Sequence, residues 1–161
     1  MKKTPSKLIR KYTTADQLKV LELFRFNTPA FFDPSEEKDF KDYLENQLED
    51  YFVVEQNRKI IGAGGINYFA EKNTARIAWD MIHPDFHKKG IGKELTLHRL
   101  SAIRNRPDIH TVIVRTSQLA CKFYEKLGFK QENVINDFWA KGFHLYQMKL
   151  NLRNTGGDKS T

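Results

Sequence analysis

The segment from His87 to Lys93, with the sequence His-Lys-Lys-Gly-Ile-Gly-Lys, constrains the fold of this chain more than any other feature. It follows an apolar run at 75–82 and precedes a helical pattern of apolar residues from Leu95 to Ile103, so it predicts a strand, a glycine loop and a helix. Glycine lets backbone amides approach an anion, and the new helix adds unpaired amides and the positive end of its dipole. Three lysines add charge. The segment therefore predicts a phosphate-binding loop.

Two other glycine motifs that bind phosphates fail on spacing. The Walker pattern requires Gly where this chain has His87, and Ser or Thr where it has Glu94. The dinucleotide fingerprint requires a third glycine where the chain has Leu95. A loop of a different class is therefore predicted.

The loop resembles the Gln/Arg-x-x-Gly-x-Gly/Ala motif of the GCN5-related N-acetyltransferases (GNAT), in which backbone amides hold the pyrophosphate of acetyl-coenzyme A. A second segment further along the chain, from Ser117 to Phe129, ends in Phe-Tyr-Glu-Lys-Leu-Gly-Phe and is similar to a motif of the same family. His87 replaces the family's Gln or Arg at a position that acts largely through its backbone and a polar side chain. The two motifs together identify the chain, by resemblance, as a member of this family.

Hydrophobic periodicity predicts the element order β-α-α-β-β-β-α-β-α-β-β, which is a mixed α/β domain. The resemblance implies an α+β fold with a mostly antiparallel, twisted mixed sheet flanked by about four helices. In that family the fourth and fifth strands run parallel and splay apart; here they would be the segments 75–82 and 109–116. We expect a single acetyltransferase domain over residues 1–152, and a flexible C-terminal tail over the polar segment 153–161.

Composition places the chain among globular proteins of one domain. Its 161 residues are 40% hydrophobic and 12% aromatic, enough for one sizeable core. No apolar run approaches the roughly 20 residues that span a bilayer, and the first residues lead into no apolar signal core, so we expect a cytoplasmic protein without a membrane partner. The single cysteine, Cys121, excludes an internal disulfide and lies in a helical pattern that favours a buried structural thiol. No metal is implied.

Charge is distributed unevenly along the chain. The net charge is +7, but the segment 33–50 has eight acidic residues and two lysines, a net charge of −6, which leaves +13 for the remainder. Coenzyme A is a multiply charged anion, so a basic surface is expected from the cofactor alone. No basic strand pair with interleaved aromatic residues is evident, and we therefore predict no nucleic-acid partner.

The family resemblance assigns the cofactor site. Amides of the loop would hold the pyrophosphate, backbone at the end of the fourth strand would pair with the pantetheine arm, and backbone near Asp80 would face the acetyl oxygen. The predicted cofactor-binding residues are Met81, Ile82, His87, Lys88, Lys89, Gly90, Ile91, Gly92, Lys93 and Ser117.

Two residues are the predicted catalytic groups. Tyr124 matches the tyrosine of the family's second motif and would stabilise the leaving thiolate through its hydroxyl; the alternative is a packed aromatic ring. The glutamate that some relatives use as a base aligns here with Arg76, so that role does not transfer. Asp80 is the candidate base, because a carboxylate inside an apolar strand is costly unless it has partners or a task. His83, His144 and a water relay remain alternatives.

These features predict an acetyl-CoA-dependent N-acetyltransferase that acetylates a primary amine directly in a ternary complex. The acceptor would be a small-molecule amine or a peptide amine, and the acidic segment 33–50 together with Phe31 and Phe32 favours a cationic one. The alternative for that segment is the solvated face of an amphipathic helix. The alternatives for the whole protein are a catalytically silent acyl-CoA-binding or sensing module and a nucleic-acid-binding protein. Whether the chain acts alone or as a homodimer stays open.

Overall fold

A computed structural model describes residues 6–152, which contain seven β-strands and four α-helices. Their order along the chain is the one predicted from periodicity. The predicted flexible tail, 153–161, lies outside the described residues. No helix within 6–152 is long and apolar enough to cross a membrane. The elements are β1 (Lys7–Lys11), α1 (Gln17–Phe26), α2 (Glu37–Asn46), β2 (Asp50–Gln56), β3 (Lys59–Phe69), β4 (Thr74–Ile82), α3 (Ile91–Arg104), β5 (Thr111–Thr116), α4 (Cys121–Lys126), β6 (Lys130–Ala140) and β7 (Phe143–Asn151).

The strands form one mixed sheet in the order β1-β2-β3-β4-β5-β7-β6. β4 and β5 are parallel, with Thr74 opposite Thr111 and Ile77 opposite Val114, whereas β1–β2, β5–β7 and β6–β7 are antiparallel. The parallel register stops before either strand ends, because β4 continues to Ile82 and β5 to Thr116. The predicted mixed sheet with parallel fourth and fifth strands is confirmed.

The described chain divides into two compact units, each with its own buried side chains. The first unit comprises residues 6–65 and Trp79–Arg99, and the second comprises Ile66–Ala78 and residues 100–152. Burying one large apolar side chain contributes roughly 1.5–3 kcal/mol to folding. In the first unit the fully buried positions include Val20, Leu23, Phe24, Phe40, Val53 and Ile61; in the second they include Ile103, Ile109, Val112, Phe129, Leu145 and Met148.

A capping box precedes α2. The Asp33 carboxylate accepts the backbone N–H of Ser35 at 3.0 Å, and the Glu36 carboxylate accepts the backbone N–H of Asp33 at 2.9 Å. The Ser35 amide is thus a donor to the cap, and Asp33 is the capping residue.

The expectation that Cys121 is buried needs correction: its thiol is half-buried at the first turn of α4, with Sγ 3.6 Å from the carbonyl oxygen of Gln118.

Candidate active site

The predicted phosphate loop connects β4 to α3 and is tied back to the end of the strand. After β4 the chain makes a turn of 3-10 helix over Pro84–Phe86. The His87 ring donates from Nε2 to the carbonyl oxygen of Ile82 at 2.7 Å, while the His87 backbone N–H donates to the carbonyl of Pro84 at 3.2 Å. The ring Nε2 and the backbone N–H of His87 therefore orient the loop, and the amides left to face an anion begin at Lys88.

The loop contains two residues in the left-handed backbone region. Lys88 has a φ of +61° and Gly90 a φ of +82°, both in the left-handed region. Lys88, Lys89 and Gly90 are exposed, and a Cβ added at Gly90 would meet no atom within 4 Å. α3 begins at the next residue, Ile91, which is buried. Because the first amides of a helix lack intrahelical acceptors, the open loop and the start of α3 can together bind a phosphate group.

The last part of β4 is kinked at Trp79. This residue has a φ of +53°, which a bulky side chain rarely adopts. The Tyr51 hydroxyl donates to the Trp79 carbonyl oxygen at 3.0 Å. Burial, followed by the nearby Tyr43 and Asp80, raises the pKa of Tyr51 well above its usual value, so the hydroxyl stays protonated. The Trp79 ring packs among aromatic rings, with centroids 4.9–6.4 Å away, from Phe24, Phe32, Phe40 and Tyr43.

Asp80, the predicted base, is paired with a wholly buried arginine. Both carboxylate oxygens accept from the Arg99 guanidinium, and the Nη2–Oδ2 distance is 2.6 Å. The Asp80 side chain is 23% exposed and the Arg99 side chain 0%. Arg99 also donates to the carbonyl of Gly65 at 3.2 Å, to Oγ1 of Thr96 at 3.3 Å and to the carbonyl of Leu95 at 3.3 Å. This pair lies one residue beyond the kink.

Sequence reasoning noticed Asp80 but missed Arg99, Tyr51 and the kink. A signal for Arg99 existed, because Leu95, Arg99 and Ile103 follow one another at helical spacing on the buried side of α3. A charged residue on an apolar stripe requires a partner, and an aspartate in an apolar strand requires one too. No feature of the sequence predicts the positive φ of Trp79.

In the second unit, Tyr124 and Ser117 lie on and before α4. The Tyr124 ring is buried, with its centroid 5.0 Å from that of Phe123 and 5.5 Å from that of Phe129. Ser117 is half-buried and its Oγ accepts the backbone N–H of Leu119 at 3.2 Å, at the start of the turn that leads into α4. The structure thus places Ser117 before the turn that leads into α4, and Tyr124 within that helix.

The histidines proposed as alternative bases each accept a backbone N–H. His83, in the first unit, accepts from Asp85 at its Nδ1 (3.1 Å), and its ring lies 4.6 Å from that of Phe26. His144, in the second unit, accepts from Asp137 at its Nδ1 (3.0 Å). These bonds fix the ring orientation of both side chains.

Much of the acidic segment 33–50 has a local structural partner. Asp33 and Glu36 form the capping box, and burial raises the pKa of Glu36. Glu37 accepts a two-fold hydrogen bond from Arg25 at 2.8 and 2.9 Å. Of the aromatic residues before α2, Phe32 joins the rings around Trp79, whereas Phe31 is 41% exposed and packs edge-on against the His87 ring.

Comparisons with known proteins identify the family. The sequence model of the Acetyltransferase (GNAT) domain matches residues 16–152. The ribosomal-protein-S18-alanine N-acetyltransferase from Escherichia coli superposes with a TM-score of 0.78 at 18% identity, over 95% of this chain and 98% of that one. The N-acetylglutamate synthase from Neisseria gonorrhoeae, complexed with coenzyme A and N-acetyl-glutamate, gives a TM-score of 0.72 at 19% identity, over 94% of this chain and 36% of that one.

Among curated proteins, the Cysteine-rich protein 2-binding protein of Mus musculus is 32% identical over 100 residues, which cover 62% of this chain and 13% of that protein. The chain therefore spans only a small part of that relative. Because the family model matches residues 16–152, this chain belongs to the GNAT family of acetyltransferases, and it shares its fold with the two structures named above.

Proposed function

We propose that this protein is an acetyl-CoA-dependent N-acetyltransferase that transfers the acetyl group directly to a primary amine within a ternary complex. The observation that carries the proposal is the exposed loop with positive φ at Lys88 and Gly90, placed at the start of α3 and bonded through His87 to the end of β4. Family membership and the coenzyme A held by a related structure support acetyl-CoA as the donor.

In this proposal the cofactor lies along the backbone of the loop and of β4. Amides from Lys88 to Lys93 hold the pyrophosphate, and the His87 ring keeps the loop in place. Backbone groups of Met81 and Ile82 pair with the pantetheine arm, and Ser117 completes the cofactor-binding set. The N–H groups next to Asp80 then donate to the acetyl oxygen as negative charge develops on it.

The reaction requires one proton removed and one leaving group stabilised. The reacting nitrogen, after losing its ammonium proton to solvent, attacks the thioester carbon in its neutral form; the carbonyl electrons move onto oxygen, and collapse of this intermediate breaks the carbon–sulfur bond. Asp80 accepts the amine proton: its side chain is 23% exposed, so an acceptor amine can approach the carboxylate. Tyr124 hydrogen-bonds to the departing thiolate.

The acceptor in this proposal is a cationic amine, either a small molecule or an amine of a peptide. Its support is the net charge of −6 over residues 33–50, which concentrates cations nearby. A catalytically silent acyl-CoA-binding module is the second candidate, because the loop alone would bind the cofactor. Amine-dependent release of the free thiol separates the two.

Gly90→Val tests the loop. A side chain there would occupy the open space that the diphosphate needs, and it would strain a φ of +82°. We expect coenzyme A affinity, measured by calorimetric titration, to fall by more than about tenfold, or about 1.4 kcal/mol.

Gly142→Val is the matched control. Gly142 has a φ of +84° and a Cβ there would also meet no atom within 4 Å, so the two variants impose the same backbone strain. We expect Gly142→Val to keep wild-type affinity. Equal affinities for wild type, Gly142→Val and a folded Gly90→Val would place the pyrophosphate elsewhere and contradict the proposal.

A further inference from the structure

We propose that Arg99 is a positioning residue for acyl transfer: through Asp80 it holds the kinked part of β4 whose backbone receives the acetyl group. This inference rests on the proposed function and adds to it a residue that does not contact the substrate. It starts from the kink, since a non-glycine residue with a φ of +53° persists only where its surroundings determine it.

Two buried side chains, those of Tyr51 and Arg99, bind consecutive residues at the kink, and we call them the anchors. The Tyr51 hydroxyl holds the carbonyl of Trp79 at 3.0 Å, and the Arg99 guanidinium holds both oxygens of the Asp80 side chain. Tyr51 is 3% exposed and Arg99 0%. One anchor acts on the backbone of Trp79 and the other on the side chain of Asp80, so together they fix the conformation of β4 at the kink.

Arg99 is itself held in one orientation. Besides Asp80, its donors reach the carbonyls of Gly65 and Leu95 and the hydroxyl of Thr96. Gly64 leaves the space that the guanidinium needs, because a Cβ there would lie 2.7 Å from Nη1. A lysine ammonium is a point charge with no planar fork and cannot bond all of these acceptors in the same geometry.

Stability alone accounts poorly for this arrangement. A buried ion pair is a weak stabilising device, and well-packed apolar residues of similar volume serve a core equally well or better. The planar guanidinium of Arg99 instead fixes the orientation of the Asp80 side chain beside the kink. If this is its role, weakening the Arg99–Asp80 pair should lower kcat, whereas weakening a bidentate pair elsewhere in the protein should not.

Arg99→Lys and Tyr51→Phe each weaken one anchor, and each has a control in the same unit. Arg10 bonds both oxygens of Asp16 at 2.9 Å and holds the pKa of that carboxyl below its usual value, so Arg10→Lys makes the same change to a bidentate pair on β1. The Tyr12 ring packs edge-on against that of Tyr51 at 5.6 Å, so Tyr12→Phe removes a hydroxyl from the same ring cluster.

The readouts are kcat with an accepted amine, the Kd of coenzyme A, and the infrared carbonyl band of bound acetyl-CoA labelled with carbon-13 at the acetyl carbonyl. We expect kcat to fall about 10- to 100-fold in Arg99→Lys and about tenfold in Tyr51→Phe, less than the roughly 100- to 1,000-fold loss on removing an oxyanion donor, because here the donor is displaced and not removed. The Kd should stay within about threefold, since the phosphate loop is unchanged. The carbonyl band should move toward that of free acetyl-CoA, a change that a purely structural role would not cause.

Arg10→Lys and Tyr12→Phe should keep the wild-type kcat and carbonyl band. If Arg99→Lys does not fold, Tyr51→Phe decides the question, because it removes a single hydroxyl and keeps the ring. Wild-type kcat and an unshifted band in the folded anchor variants would overturn the positioning role while leaving the proposed function intact. A wild-type protein that neither binds acetyl-CoA nor acetylates any amine would instead overturn the proposed function, and this inference with it.

Discussion

At the scale of single residues, Tyr124 is the group whose role a conservative change isolates. Tyr124→Phe keeps the ring that packs against Phe123 and Phe129 and removes only the hydroxyl. We expect kcat to fall about 10- to 1,000-fold, the range for a general acid or an oxyanion-type donor, while the Kd of coenzyme A changes little. Steady-state kinetics with a saturating amine provide the measurement, and full activity would reduce Tyr124 to a packing residue.

The residue scale also shows where prediction from sequence succeeds. Asp80 was noticed because an ionised side chain in an apolar strand is costly without a partner, and the structure supplies that partner. Arg99 was missed because the sequence shows a charged residue within each of two apolar elements, but it does not show that these two side chains form a pair. The cap before α2 is a further case: Asp33 and Ser35 are both residue types that cap helices, and only the structure shows that Asp33 takes this role.

At the scale of elements, the acidic face of α2 makes a prediction about the acceptor. Asp33, Glu36 and Glu37 already have structural roles, so neutralising them would disturb the helix start or the bond to Arg25. The paired change Asp39→Asn with Glu45→Gln alters exposed positions instead, and the amide oxygen at position 45 can still accept the 3.0 Å hydrogen bond from Gln17. We expect the KM of a cationic amine to rise about two- to fivefold at low salt, and the effect to shrink as salt screens the charges.

The control variant for the α2 substitutions has the same change in net charge in the second unit. Glu125→Gln with Glu132→Gln removes two exposed carboxylates from the second unit and should leave the KM unchanged. The proposed role of α2 would be contradicted by a preference for acidic acceptors, or by a KM that changes neither with salt nor with the α2 substitutions. This helix would then be ordinary surface and the acceptor would stay unassigned.

Element order was predictable because apolar spacing differs between helices and strands. Element ends were less so: α3 begins at Ile91 rather than at the first clear apolar repeat at Leu95, and β5 begins at Thr111 rather than Ile109. Ile109 is fully buried although it precedes the strand, and its N–H donates to the carbonyl of Arg106 in a turn. The kink at Trp79 was not predictable, since residue spacing does not encode a single backbone angle.

At the scale of the whole molecule, the sheet arrangement came from resemblance rather than from pattern. Periodicity predicts where the strands lie in the sequence but not which strands pair. The parallel pairing of β4 with β5 was expected only because two sequence motifs matched the GNAT family. The division of the described chain into two compact units had no counterpart in the sequence prediction, because no linker or change in composition marks it. Acceptor identity depends on side-chain contacts that motif spacing does not determine.

Transfer of a labelled acetyl group tests the central claim most directly. Wild-type protein is incubated with acetyl-CoA carrying carbon-13 in its acetyl group and a panel of cationic, neutral and anionic amines, and both free thiol and acetylated amine are quantified by mass spectrometry. The account predicts labelled N-acetyl product in a one-to-one ratio with released thiol, favouring cationic amines, and greatly reduced product with Gly90→Val. Binding of acetyl-CoA with no labelled product from any amine would contradict it and would favour the silent acyl-CoA-binding module.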